Sequence, residues 1–290
     1  MQAFDYFVPD TLSQAIALLS ERKGEARPLA GGTDLLPLMK QKDIHPKALV
    51  DLKKIKSLRD ITYDPKTGLK IGALATHNDI IAHQDVSQHY PVLVQAAETI
   101  GSVQVRNRAT VGGNLCHAVP SADMASPMLT LGTTAIIQGP DGTRRLPLED
   151  FFVGPKQSAL GPAEILVGLE LPPPIPQSGA AFLKHGVRKA MEISIVCVSA
   201  CVAFDGNGRI CSSGRIALGA VAPTPLRAKK AEAILSGKAL DKPLADQAGQ
   251  MAAQEAQPIT DLRGSAEYRR AIVQVLTSRA LLQAAAGVKG

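Results

Sequence analysis

In the segment DTLSQAIALLSERK, residues 10–23, apolar side chains recur at Leu12, Ala15, Ile16 and Leu19. That spacing marks one face of a helix, with Asp10 placed to cap its start and Gly24 to stop it. The pattern then shortens: ARPLA reads as an extended piece, the pair Gly31-Gly32 makes a tight turn, a helix is predicted from Thr33 through Lys40, and ALVDL at 48–52 reads as a strand. A second unit is expected from about residue 55, with a strand in GLKIGALA, a helix opening at Thr76 and a longer helix in PVLVQAAETIG. Further on, MASPMLTLG has a helical pattern, TTAIIQG and TRRLPL flank GPDG as a hairpin, and the apolar run EILVGLEL at 164–171 reads as a buried strand. LPPPIPQSG interrupts this order. Three consecutive prolines neither continue a helix nor fit inside a sheet, so the strongest boundary is expected at 172–179. Beyond it, ISIVCVSACVAFD and RICSSGRIALGAV form long strands around the turn DGNG, and helices follow to the end, including 265–286. The expected class is α+β in three segments, 1–54, 55–175 and 176–290, the last an antiparallel sheet with helices. No internal repeat is visible.

Composition narrows the chemistry. The chain has 290 residues, more than one core usually serves. It has 45% apolar and 20% charged residues and no apolar run long enough to span a bilayer. The start MQAFDYFVPD lacks the basic-then-apolar order of an export signal, so a cytoplasmic location is expected. The net charge of +6 is dispersed and Trp is absent, which disfavours a nucleic-acid surface. Cys116, Cys197, Cys201 and Cys211 form no C-x-x-C pair, which disfavours a metal or cluster site in this chain.

Two glycine pairs carry the candidate chemistry: LAGGTDLLP at 29–37 and ATVGGNLC at 109–116. A Gly-Gly pair between a strand and a helix admits close approach of a ligand to the main chain and leaves N–H groups pointing outward, an arrangement that suits phosphate. Two such turns would suit the two phosphates of a dinucleotide, although each also serves as plain chain reversal. Neither turn fits G-x-G-x-x-G or the phosphate loop of nucleotide triphosphatases. Adjacent Cys116 and His117, in an extended segment, would point to opposite sides, which disfavours a catalytic dyad.

The segments LAGGTDLLP, RNRATVGGNLCHAVPSADM and FLKHGVRKAMEISIV (182–196), in this order, resemble the flavoprotein subunit of the molybdenum hydroxylases, the xanthine dehydrogenase and carbon monoxide dehydrogenase family. The resemblance spans nearly the whole chain. It implies a PCMH/vanillyl-alcohol-oxidase-like FAD-binding domain of two α+β subdomains followed by the C-terminal domain. It also implies an oxidoreductase component that passes electrons from iron–sulfur clusters through FAD to an external acceptor: NAD, a quinone or oxygen. The two-iron, two-sulfur clusters would sit in a small partner subunit and the molybdenum cofactor in a large one, in a dimer of heterotrimers; substrate hydroxylation would lie outside this chain.

On the same grounds, Leu29, Ala30, Gly31, Gly32, Thr33, Asp34, Leu35 and Leu36 form the first FAD loop, and Thr110, Val111, Gly112, Gly113 and Asn114 the second. Asp123 matches an acid on the adenosine side. Ile100 and Leu166 fall near the flavin ring, and Lys184 near its pyrimidine end, with Arg188 as a possible assistant. Met191, Glu192 and Ile193 depart from the family pattern of an acidic pair or an Asp followed by an aromatic, which leaves Ile193 as the expected cover of one flavin face. A free-standing flavin oxidase or dehydrogenase of the same fold, and an assembly protein without flavin, are the alternatives at this level.

Overall fold

A computed structural model describes residues 2–206 and 210–288. The first segment carries β1 (Asp5–Phe7), α1 (Leu12–Glu21), β2 (Ala26–Leu29), α2 (Leu35–Gln41) and β3 (Ala48–Asp51). The strands form a parallel sheet in the order β1-β3-β2. Helix α1 buries Ala15, Ile16 and Leu19, as its spacing predicts, but its cap is Thr11 and not Asp10. Thr11 Oγ1 accepts the Gln14 N–H while Gln14 Oε1 accepts from the N–H groups of Asp10 and Thr11. This reciprocal capping box engages two terminal donors where a lone Asp would engage one. Helix α2 begins at Leu35, two residues later than expected, and leaves Ala30–Asp34 as a connection between β2 and α2 in which Ala30–Thr33 are half-buried and Asp34 is exposed.

The second segment contains β4 (Ile61–Asp64), β5 (Gly68–Gly72), α3 (His77–Ala82), α4 (Gln84–His89), α5 (Pro91–Glu98), α6 (Val103–Arg106), α7 (Val111–Cys116), α8 (Ala125–Thr130), β6 (Thr134–Gly139), β7 (Gly142–Pro147), the short pair β8 (Phe152–Gly154) and β9 (Gln157–Ser158), and β10 (Ile165–Leu171). Its antiparallel sheet runs β4-β5-β10-β6-β7, so the apolar run EILVGLEL is the central strand and is buried as such a run requires. The expected hairpin around GPDG is β6-β7. Thr76 caps α3 through its hydroxyl in a second capping box with Asp79. The largest core lies here, with Leu69, Ile71, Leu93, Leu115, Met124, Met128, Ile137 and Phe151 fully covered.

The third segment holds β11 (Ser178–His185), β12 (Val196–Phe204), β13 (Ile210–Gly219), β14 (Leu226–Arg227), α9 (Lys229–Ala233), β15 (Lys238–Ala239), α10 (Lys242–Glu255) and α11 (Ala266–Ala286). The sheet is antiparallel in the order β11-β12-β13-β14, with β15 also on β13. Helices α10 and α11 supply Ala245, Ala248, Ala252, Val273, Leu281 and Ala284 to a core shared with the sheet. The DGNG turn expected at 205–208 runs into residues 207–209, which lie outside the described residues. Buried Arg269 fastens α11 to the strand ends by donating to the carbonyls of Ile195 and Ala220 and pairing with Asp261 at 2.6 Å. Phe182, Cys197 and Ala217 of this segment belong to the core of the second one.

Candidate functional site

The two glycine segments meet backbone to backbone. At Gly31 an added Cβ would lie 2.0 Å from the Arg108 carbonyl oxygen, so only glycine permits this approach of the first loop to the residues that lead into the second. Leu29, Leu35 and Leu36 pack around Met39 and Leu49 and anchor the ends of the loop. Ala30, Gly31, Gly32, Thr33 and Asp34 are left at the surface between them. Among the described residues no acceptor faces the N–H groups of Gly31, Gly32, Thr33 and Asp34. Adjacent amides without a partner are the kind of group that can donate to an anion.

The second segment differs from its expected form. Gly112 and Gly113 sit in the first turn of α7 and not in a strand-to-helix turn. Their amides are engaged inside the chain. Val111 donates to Ala75 O at 2.9 Å, Gly112 to Ala73 O at 2.9 Å, Gly113 to Thr110 Oγ1 at 3.0 Å and Asn114 to Thr110 O at 3.0 Å. The expectation of outward N–H groups on both loops therefore holds for the first and is corrected for the second. The physical reason is that a capped helix start docked on the β5–α3 connection satisfies its own donors. Gly112 is needed for that docking, since a Cβ would lie 2.6 Å from Ala73 O. The Val111 side chain is core, whereas Gly113 and Asn114 are partly exposed, and the Asn114 Oδ1 accepts the Met124 N–H at 3.4 Å.

Cys116 ends α7 and His117 caps it, so the two do not lie in the extended segment expected. Burial pushes the Cys116 thiol up to about 12, away from nucleophilic use. His117 Nδ1 lies 3.4 Å from Asp34 Oδ1, a contact that joins the two loops. Beneath them is a residue the motifs did not single out. His77, at the start of α3, is fully buried, donates its N–H to Ala109 O at 3.1 Å and leaves both ring nitrogens without a partner. Burial, helped by the Arg106 charge and opposed by Asp34, lowers its pKa to about 4, so the ring is neutral near pH 7.

Asp123 and Lys184 were expected at opposite ends of the cofactor. The Lys184 Nζ lies 2.7 Å from Asp123 Oδ2, so the two occupy one place and that separation is corrected. Asp123 is buried and the Lys184 side chain is largely covered; Ser194 donates to the other Asp123 oxygen, and Lys184 donates to the carbonyls of Thr99 at 3.1 Å and Glu192 at 3.0 Å. Burial raises the Asp123 carboxyl above its ordinary value, with Lys184 and Ser194 pulling the other way. Ile100 stands next to Thr99 at the rim of the core, and the Met191 N–H donates to Gly101 O at 3.0 Å, which folds the 186–193 loop over this end. A cavity of about 390 Å³ opens there, lined by Thr99, Lys184, Arg188, Lys189 and Glu192 among others. Ile193 is exposed, Arg188 pairs with Glu192 at 2.8 Å, and Leu166 lies in the core of the β10 strand.

Contacts along the chain link the two ends of the candidate site: Gly31 abuts the Arg108 carbonyl, Thr110–Asn114 follow as the start of α7, and Asn114 Oδ1 accepts from Met124 beside the Asp123–Lys184 pair. Comparisons with known proteins find relatives over nearly the whole chain. Residues 2–174 match the model of the FAD binding domain in molybdopterin dehydrogenase, and residues 181–284 that of the CO dehydrogenase flavoprotein C-terminal domain. The carbon monoxide dehydrogenase medium chain of Hydrogenophaga pseudoflava is 34% identical over 278 residues, 96% of each chain. The xanthine dehydrogenase FAD-binding subunit of Escherichia coli O157:H7 is 34% identical over 97% of this chain and 95% of its own. Among solved structures, carbon monoxide dehydrogenase from Hydrogenophaga pseudoflava superposes with a TM-score of 0.95 at 34% identity over 99% of both chains. Quinoline 2-oxidoreductase from Pseudomonas putida 86 gives 0.91 at 34% identity, covering 99% of this chain and 98% of its own. The chain belongs to the FAD-binding medium-subunit family of the molybdenum hydroxylases.

Proposed function

We propose that this chain holds FAD between the first glycine loop and the Asp123–Lys184 pair and serves as the electron-transfer subunit of a molybdenum hydroxylase. The observation that carries this is the row of unengaged amides at Gly31, Gly32, Thr33 and Asp34, set against the backbone of Arg108 by a glycine that no other residue could replace. Those amides fit the pyrophosphate of a dinucleotide. The helix start at Thr110–Asn114 contributes shape through Gly113 and a polar side chain through Asn114, and the Asp123–Lys184 pair lies at the Ile100 end, where the ring system is assigned. FAD, when bound, supplies the exchange between one-electron and two-electron carriers; the chain's residues bind it, orient it and limit access to it.

Partners follow from the same reading: a small subunit with iron–sulfur clusters, a large subunit with the molybdenum cofactor, and a dimer of heterotrimers. The external acceptor, NAD, a quinone or oxygen, would arrive at the cavity beneath the 186–193 loop. The division at 1–54, 55–175 and 176–290 goes with this reading and is supported by a main sheet of its own in each segment, the second also carrying the small β8-β9 pair. A cytoplasmic site of action is supported by free thiols at Cys116, Cys197, Cys201 and Cys211. Among the described residues no helix is long and apolar enough to cross a membrane.

Titration of the purified full chain with FAD, followed by flavin fluorescence and calorimetry, is the direct test. Saturable one-to-one binding is expected. A flat titration would overturn the reading in favour of an assembly protein.

A further inference from the structure

Lys53 follows β3 and lies across from the first glycine loop. It is held by Asp51, the last residue of β3, whose side chain is almost completely covered. One Asp51 oxygen accepts the Lys53 N–H at 3.0 Å and lies 2.7 Å from Lys53 Nζ. The other accepts the hydroxyl of Tyr6, which comes from the far edge of the same sheet. Thus anchored, Lys53 Nζ reaches the carbonyl oxygen of Ala30 at 3.4 Å, immediately before Gly31.

That contact has a consequence for the next atom in the chain. In a trans peptide the C=O and the following N–H point in opposite directions. A carbonyl turned toward Lys53 therefore turns the Gly31 N–H the other way, and this N–H is one of the four without an acceptor. Gly31, which has no Cβ, places little steric restriction on rotation of this peptide. Untethered, the unit could present a carbonyl oxygen where an anion requires a donor.

We infer that Lys53 is a positioning residue that, braced by Asp51 and Tyr6, locks the Ala30–Gly31 peptide with its N–H toward the anionic part of the bound ligand. The inference rests on the cofactor reading above.

The test uses the full chain and FAD. Lys53→Met keeps the length of the side chain and removes the charge; Lys53→Arg keeps a donor; Tyr6→Phe loosens the brace from an exposed position. Loss of one charge-assisted hydrogen bond predicts FAD binding weakened about tenfold in Lys53→Met, with most of it regained in Lys53→Arg and a smaller loss, about threefold, in Tyr6→Phe. In the ¹⁵N-labelled protein saturated with FAD, the Gly31 amide proton should show a smaller ligand-induced shift in Lys53→Met than in the unaltered chain. Equal FAD affinity in Lys53→Met overturns the inference. So does a loss of affinity with an unchanged Gly31 shift at saturation, because a general structural effect would produce that result. If the unaltered chain itself fails to bind FAD, it is the cofactor reading that falls.

Discussion

His77 concentrates the tension between packing and polarity in a single side chain. A neutral imidazole with two unpartnered nitrogens in a sealed environment loses the hydrogen bonds it had with water, and a protonated one would lose far more. Its pKa falls from the ordinary 6.5 to about 4 through burial first and the Arg106 charge second, with Asp34 opposing. Between those two values the unfolded chain binds a proton that the folded chain refuses, so stability is lost as pH falls through this window. The loss amounts to about 3 kcal/mol once the pH is below both values. His77→Leu keeps the volume similar and removes the titration, so urea unfolding near pH 7.5 should differ from the unaltered chain by no more than about 1.5 kcal/mol. At pH 5 the variant should be the more stable of the two. Stability curves that stay parallel from pH 7.5 to 5 would remove His77 from the account. Nothing local marks this residue: a lone His after a helix cap says nothing about what will surround it, and its backbone is met by Ala109 from much further along the chain.

At the scale of elements, local signals were read correctly where local physics decides. The GPDG hairpin, the helix opening at Thr76, the central apolar strand and the C-terminal helix, expected at 265–286 and found at Ala266–Ala286, all follow from periodicity and turn chemistry. Helix α7 is not legible locally because VGGNLC has the composition of a turn: two glycines weaken a helix by roughly 1 kcal/mol each. Docking against Ala73 and Ala75 overrides that cost, and nothing in the local sequence carries that contact. It leads to a prediction. Gly112→Ala improves helix propensity, yet it places a Cβ 2.6 Å from Ala73 O and 2.7 Å from Ala73 Cβ. The clash should win, lowering stability by about 2 kcal/mol in urea unfolding and weakening FAD binding as α7 moves off the β5–α3 connection. A variant more stable than the parent would mean that the helix, and not its docking, dominates here.

Across the whole molecule the second and third segments are joined by a core that both supply and by polar contacts inside it. Phe182 donates its N–H to Gln95 Oε1 at 3.0 Å, the hydroxyls of Thr130 and Ser199 meet at 3.0 Å, and Ala220 donates to Pro120 O at 2.7 Å. The charged member of this junction is Asp123–Lys184, whose partners are 61 positions apart in the chain, so the motif could name both residues without revealing that they meet. Such a pair contributes little net stability while both charges remain, and much is lost when one is removed. Lys184→Met should leave Asp123 buried without its counter-charge and cost about 3–5 kcal/mol at neutral pH. The Asp123 carboxyl would then be held still further above its ordinary value. A raised folded pKa confers stability that is present at low pH and lost as pH rises, so the defect should shrink on acidification. Adding Asp123→Asn removes the stranded charge while keeping an acceptor for Ser194, and the double variant should regain most of the lost stability in the same unfolding assay. FAD titration of that refolded double variant then separates two roles. If the pair only joins the segments, affinity returns with stability; if Asp123 or Lys184 also contacts the cofactor, affinity stays low in a chain that is otherwise sound. A single variant with undiminished stability and undiminished FAD affinity would deny the pair both roles.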